Sequence, residues 1–284
     1  MITFLADIRI GTGRLVRNRL FYITMAILVL FLVLMAMGFR ASNFMLLERL
    51  ARRHGVYDID PLINSRFFCY WVQYSAYLFL VPLFVSGFAA SQIASEAGSG
   101  TLRQVLPRHR SRASFYLAKA AVTFGFTVAV YLGFMAVAWG VGELAFDRGD
   151  LLVLPNPTRL HYRLFVLPEA AGVRALALSA VLGAGTMLVL ASLGLMISTL
   201  TRSAVHAVVT TIAIYFVGYA ASSVPFIENM TRWLFTSGTD VWLDVYVRHI
   251  DWPRVAIKLA FCGAYLVTFV GVGTVVFVYK DVRS

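Results

Sequence analysis

The side chains able to do chemistry in this chain are concentrated in one stretch, EAGSGTLRQVLPRHRSRASFYLAK, at positions 96–119. Arg103, Arg108, His109, Arg110, Arg112 and Lys119 stand there against a single acid, Glu96. Such a set can grip a polar partner surface through charge-assisted hydrogen bonds. Catalytic patterns are missing elsewhere: no HExxH, CxxC or GxxxxGK[ST] occurs, so zinc hydrolysis, dithiol chemistry and P-loop phosphate binding are not expected. The GSGT run at 98–101 lacks the lysine a phosphate-cradling loop requires. His54, His109, His161, His206 and His249 are scattered, and only His206 stands near an apolar run. Ser86, in VSGF, has neither the flanking glycine pattern nor a paired histidine of a serine hydrolase. Cys69 and Cys262 have no metal or redox spacing and read as free apolar thiols. The expectation is a non-enzyme without catalytic residues, bound cofactor or metal.

The elements that must position the basic stretch are apolar. Of 284 residues 60% are hydrophobic and 14% charged, whereas soluble domains carry about 25% charged residues. Runs of about 20 apolar residues recur, the length that crosses a hydrocarbon core. The chain therefore reads as all-α, a single polytopic membrane domain of six spans at about 20–39, 70–94, 115–144, 173–199, 205–221 and 255–278. The net charge of +11 fits arginine-rich loops obeying the positive-inside rule rather than nucleic-acid binding. Placing both termini in the cytoplasm puts most of the excess positive charge inside. Arg49, Arg52 and Arg53 run against that arrangement and read as a solvated helix face within FMLLERLARRHG, for which Gly55 is a plausible stop.

The connecting segments carry their own signals. Residues 1–19 mix Phe4, Leu5, Ile8, Leu15 and Val16 with arginines, which suits a segment in the membrane interface. The fourth span is lined with Ala177, Ala180, Gly183, Ala184, Gly185, Ala191 and Gly194, small residues that let helices pack closely. Residues 224–254 are too polar to span and too aromatic for a free loop, so an outer re-entrant or interfacial segment is expected. Ionisable residues inside spans would mark an ion-coupled carrier. Glu143 and Lys258 fall at predicted outer ends, within reach of water, while Gln73, Ser91, Gln92, Thr127 and Thr186 could line a polar path.

The stretch at 96–119 resembles the first cytoplasmic loop of ABC-2-type ABC transporter permeases. That family carries an acid before Gly-Thr-Leu, then a leucine-rich turn, a proline, a Ser-Arg pair and a lysine opening the next span. Here these are Glu96, Gly100, Thr101, Leu102, Leu106, Pro107, Ser111, Arg112 and Lys119. The run Arg108-His109-Arg110 departs from the small apolar residue usual after the proline. The basic N-terminal segment, the small-residue fourth span and the ending Tyr279-Lys280-Asp281-Val282 are similar to the family as well.

The resemblance implies a coupling helix at about 95–114 that seats in a separate ABC ATP-binding subunit, present in two copies that hold ATP and Mg. Glu96, Arg103 and Arg112 would supply charged contacts there, and Leu102 and Leu106 an apolar anchor. It further implies a second permease copy, as homodimer or similar heterodimer, a cytoplasmic membrane location and export. An ATP-independent carrier and a non-transporting anchor or assembly protein are the alternatives.

Overall fold

The computed structural model describes residues 19–42, 44–53, 55, 57–101, 111–154, 164–222, 224, 231 and 233–279. Six helical stretches are long and apolar enough to cross a membrane, and the chain is an all-α polytopic membrane protein. The first is α1 (Arg19–Ala41), followed by a short surface helix α2 (Met45–Arg53). Gly55, at φ +82°, ends α2 in the left-handed region where glycine is favoured. The second crossing is composite: α3 (Ser65–Ser75), one π-helical turn (Ala76–Leu80) and α4 (Val81–Gly98).

The remaining crossings are α5 (Arg112–Ala145), α6 (Glu169–Leu200), α7 (Ala204–Ser222) and α9 (Trp252–Tyr279). The short α8 (Phe235–Gly238) and a 3-10 turn (Thr239–Leu243) precede α9. Alternation of six crossings puts the 99–111 and 201–203 connections at one end of the bundle, here the Glu96 end. The connections at 42–64, 146–168 and 223–251 lie at the opposite, Glu143 end.

Local chemistry explains the helix boundaries. Asn64 caps α3: its Oδ1 accepts from the Arg66 and Phe67 amides, while Nδ2 donates to the Pro61 and Asp150 carbonyls. Ser111 caps α5 by accepting from the Ser114 amide. Pro168 precedes α6 and Glu169 sits in its first turn, where a negative charge opposes the helix dipole favourably. These caps lie beyond the apolar runs, so the second, third and fourth crossings start three to five residues earlier than hydropathy alone suggests. At about 1.5 Å per residue, the 34 residues from Ser65 to Gly98 extend about 50 Å, well past a hydrocarbon core of about 30 Å.

α6 is the central helix. The most apolar window of α6 is 67% buried inside the protein, against 28%, 22% and 17% for α1, α7 and α9, which therefore turn most of their surface outward. α6 packs against α3, α4, α5, α7, α9 and the 3-10 turn. The expected small-residue packing holds on one face of it only. Gly183, Ala184, Ala191 and Gly194 are buried, and a Cβ on Gly194 would lie 3.1 Å from Ala89, whereas Ala177 and Gly185 face outward. Exposed aromatics mark both ends: Trp71, Trp233 and Trp252 at the Glu143 end, Tyr22 and Tyr279 at the Glu96 end. That is the pattern of the two interfacial belts of a spanning bundle.

The 146–168 connection holds a small antiparallel hairpin, β1 (Leu151–Val153) with β2 (Phe165–Leu167), in register Leu151↔Leu167. Three residues per strand in a proline-rich stretch leave no alternating pattern, and nothing in the sequence announces it. Part of the segment before α9 folds back into the bundle. Val241, Trp242 and Tyr246 are buried, and the Thr239 carbonyl accepts from Tyr77, which also bonds Thr186. Thr186 is 17 residues, about 25 Å, into the 32 residues of α6. The segment thus reaches to mid-bundle.

Candidate functional site

The Glu96 end is built from the last turn of α4, the first turns of α5, the end of α9 and the α6–α7 turn. Lys119 Nζ donates to Glu96 Oε1 at 2.6 Å, with both side chains about one-fifth exposed. This ties the end of α4 to the third turn of α5. Glu96 Oε2 is buried and has no hydrogen-bond partner among the described residues, so half of the carboxylate is left over after the lysine is satisfied. Lys119 also lies over the Phe115 ring, 5.6 Å from its centroid.

Thr101 Oγ1 donates back to the Glu96 carbonyl at 3.3 Å, and its oxygen stands 3.0 Å from Ser99 Oγ. Gly100 takes φ +73° just past the helix, the left-handed turn that ends α4. Arg112 Nη1 donates to the Val278 carbonyl at 3.2 Å, fixing the start of α5 against the last turn of α9. Four of the sequence-predicted residues are therefore brought together, Glu96, Gly100, Thr101 and Lys119, while Arg112 stands at the same end and binds α9. Leu102, Arg103, Leu106 and Pro107 lie outside the described residues, as do residues 1–18 of the expected interfacial segment. The described helices also reach into the expected 95–114 loop, leaving the connection at 99–111.

Two contributors at this end escaped sequence reasoning. Ser198 Oγ accepts from the Ile93 and Ala94 amides at 2.9 and 2.8 Å, clasping α4 to α6. Gly98 abuts the Arg202 carbonyl so closely that any Cβ would collide with it. The two connections at the Glu96 end are thereby held side by side. The glycine stood in the sequence, but its neighbour, over 100 positions away, did not.

Between the Glu143 end and the middle of the bundle lies a buried polar core. Gln73 Nε2 donates to Tyr131 Oη at 3.1 Å, and Gln73 Oε1 accepts from Tyr246 Oη at 2.7 Å and Ser179 Oγ at 2.9 Å. Tyr77 Oη lies 2.7 Å from Thr186 Oγ1 and donates to the Thr239 carbonyl at 2.6 Å. Of the five polar residues expected to line a path, only Gln73 and Thr186 enter this network. Thr127 bonds the Thr123 carbonyl of its own helix, and Ser91 and Gln92 bond the Phe88 carbonyl. Ser86 Oγ is fully buried without a hydrogen-bond partner among the described residues, and His206 is exposed.

The Glu143 end is held by charge. Arg66, 5% exposed, pairs with Glu143 and, at 3.2 Å, with Glu169, and lies 5.0 Å from the Trp139 ring centroid. Exposed Arg148 bonds the second oxygen of Glu143 at 2.6 Å, which raises its pKa further above the ordinary arginine value. Lys258 donates to Asp244 at 2.5 Å and Asp240 at 3.2 Å and is 18% exposed. Glu143 and Lys258 are thus engaged in ion pairs rather than reaching freely into water. The partners that hold them, arginines for Glu143 and aspartates for Lys258, lie on other elements, beyond what spacing reveals. Among the described residues no group of three or more His, Cys, Asp or Glu could hold a metal ion, and Cys69 and Cys262 are buried free thiols.

A family model described as "Protein of unknown function (DUF2705)" matches residues 63–279. No curated protein matches the chain.

Proposed function

The chain belongs to the DUF2705 family, whose model takes in every crossing from the second to the sixth, and we propose that it is the permease subunit of an ATP-driven ABC transporter of the ABC-2 type. The observation that carries this reading is the Glu96–Lys119 pair. It joins the two helices that flank a strongly basic connection and leaves a buried carboxylate oxygen over. The pair fixes both ends of the basic connection to the bundle, so a movement of that connection is felt by α4 and α5 together.

In the proposed mechanism residues 102–110 form the coupling element, with Leu102 and Leu106 seated in a groove of a separate ATP-binding subunit and Arg103 contacting it by charge. Glu96, Lys119 and Arg112 pass movement of that element into α4, α5 and α9. The close packing of Gly98 on the Arg202 carbonyl carries the α6–α7 turn along with it. Two copies of the chain, two ATPase subunits holding ATP and Mg, a cytoplasmic Glu96 end with both termini on that side, and export complete the proposal.

The test is purification of the tagged chain from its native membrane under mild conditions, with identification of what accompanies it. A stoichiometric subunit bearing a P-loop is expected. It should be weakened by Glu96→Lys and restored by Glu96→Lys combined with Lys119→Glu. Absence of any ATPase, or one that binds all three forms equally, would overturn the proposal in favour of an ATP-independent carrier or an anchor.

A further inference from the structure

The proposed function leaves α2 unused, and α2 is the element that defied the charge pattern. Ala41 ends α1 and Met45 begins α2, and a connection of three residues spans at most about 10 Å. α2 is therefore held at the membrane surface, at the Glu143 end. One face is packed: Ala51 is fully buried, Leu47 lies against the core, and Phe44 meets Phe39 edge-on at 4.9 Å.

The other face is exposed and basic. Arg49, Arg52 and Arg53 are all exposed and share one side of the helix through i, i+3 and i, i+4 spacing. Met45, 60% exposed, precedes them on that side, and Tyr57, 78% exposed, follows the helix. Glu48 neutralises Arg52 at 2.5 Å, while Arg49 and Arg53 make no ion pair among the described residues. Two like charges four residues apart destabilise a helix, and this helix has nine residues in which to absorb the cost. An anionic layer alongside removes that repulsion. Exposed apolar side chains flanking a basic face are the composition of a helix lying in headgroups.

We propose that α2 binds anionic phospholipid headgroups of the leaflet at the Glu143 end, with Arg49 and Arg53 holding the phosphates. The inference is independent of any ATPase partner. It is tested with the full chain in nanodiscs of phosphatidylcholine and phosphatidylglycerol, by measuring the ratio of the two lipids retained after mild detergent extraction. Wild type is expected to retain phosphatidylglycerol preferentially. Arg49→Gln with Arg53→Gln is expected to reduce that preference about 30-fold, at roughly fivefold per surface arginine.

A second measurement needs no variant: raising salt should erode the wild-type preference, since exposed charges are screened. Equal ratios in wild type and double variant, or a salt-insensitive ratio, would overturn the proposal. Full displacement of phosphatidylglycerol by millimolar inorganic phosphate would overturn it too, since the site would then be one for free anions.

Discussion

Gly183 of α6 faces the Tyr131 side chain of α5, and it shows how much one missing methyl group controls. A Cβ at this position would overlap the Tyr131 hydroxyl, the same hydroxyl that accepts from Gln73. Gly183→Ala must push Tyr131 off its rotamer or separate the helices, and such overpacking costs about 1–3 kcal/mol. Thermal unfolding in nanodiscs should show the loss. In a Tyr131→Phe background the same alanine should cost less, because the clashing atom is gone, and the double-mutant cycle measures the difference. Arg66 is the corresponding residue for charge. Arg66→Met leaves Glu143 with the exposed Arg148 alone and takes the guanidinium from Glu169, and removing one partner of a buried pair typically costs about 3–5 kcal/mol. Glu143→Gln should cost less, since Arg66 keeps Glu169. Equal destabilisation by both variants in chemical denaturation would show that Arg66 does not bridge the two acids.

Between residues and the whole stand the elements, and here the segment before α9 is decisive. Residues 235–246 are gripped from four sides: by Tyr77 and Gln73 of the second crossing, Ser179 of α6, Ser222 of α7 and Lys258 of α9. Tyr77 projects from the π turn, one turn before Pro82, which has no N–H to give to a preceding carbonyl. The most irregular backbone in the bundle therefore carries the hydroxyl that reaches the segment. Tyr77→Phe and Tyr246→Phe should each raise amide hydrogen exchange in residues 235–246 about tenfold, the worth of one buried hydrogen bond, and leave α6 protected. An unchanged pattern would mean the segment is held by packing alone. The contrast with the sequence is physical. Apolar runs made the six crossings legible, because a hydrocarbon core selects length and composition locally. The Gly55 stop and the small-residue face of α6 were legible for the same reason. Partners such as Asp244 for Lys258, or Thr239 for Tyr77, depend on tertiary placement, and no spacing rule carries that information. At the Glu96 end, acid and lysine could be read as important individually, but that they touch is a property of the fold.

For the whole molecule the open variable is orientation, and the two ends differ enough to make it measurable. The Glu143 end is stitched together by Asn64, Arg66, Glu143, Glu169, the hairpin and the Phe39–Phe67–Phe68–Phe146 cluster. The Arg40 guanidinium adds a bond at 2.7 Å to the Ala145 carbonyl, joining the ends of α1 and α5. The Glu96 end is tied by Glu96–Lys119, by Arg112 to the Val278 carbonyl and by Ser198 to the Ile93 and Ala94 amides, and it gathers the loop proposed to meet an ATPase. A subunit driven from the cytosol needs that loop on the cytosolic side. The proposed function therefore demands one orientation. Both native thiols are buried, so a single exposed cysteine reports cleanly on sidedness. Leu144→Cys, at a position 90% exposed at the Glu143 end, should react with a membrane-impermeant maleimide added to intact cells. Ser99→Cys, exposed at the Glu96 end, should react only after the membrane is opened. The reverse pattern would place the basic loop outside, out of reach of any ATP-binding subunit, and the permease reading would fall. The α2 lipid contact would survive it, because that inference concerns the Glu143 end whichever way it faces.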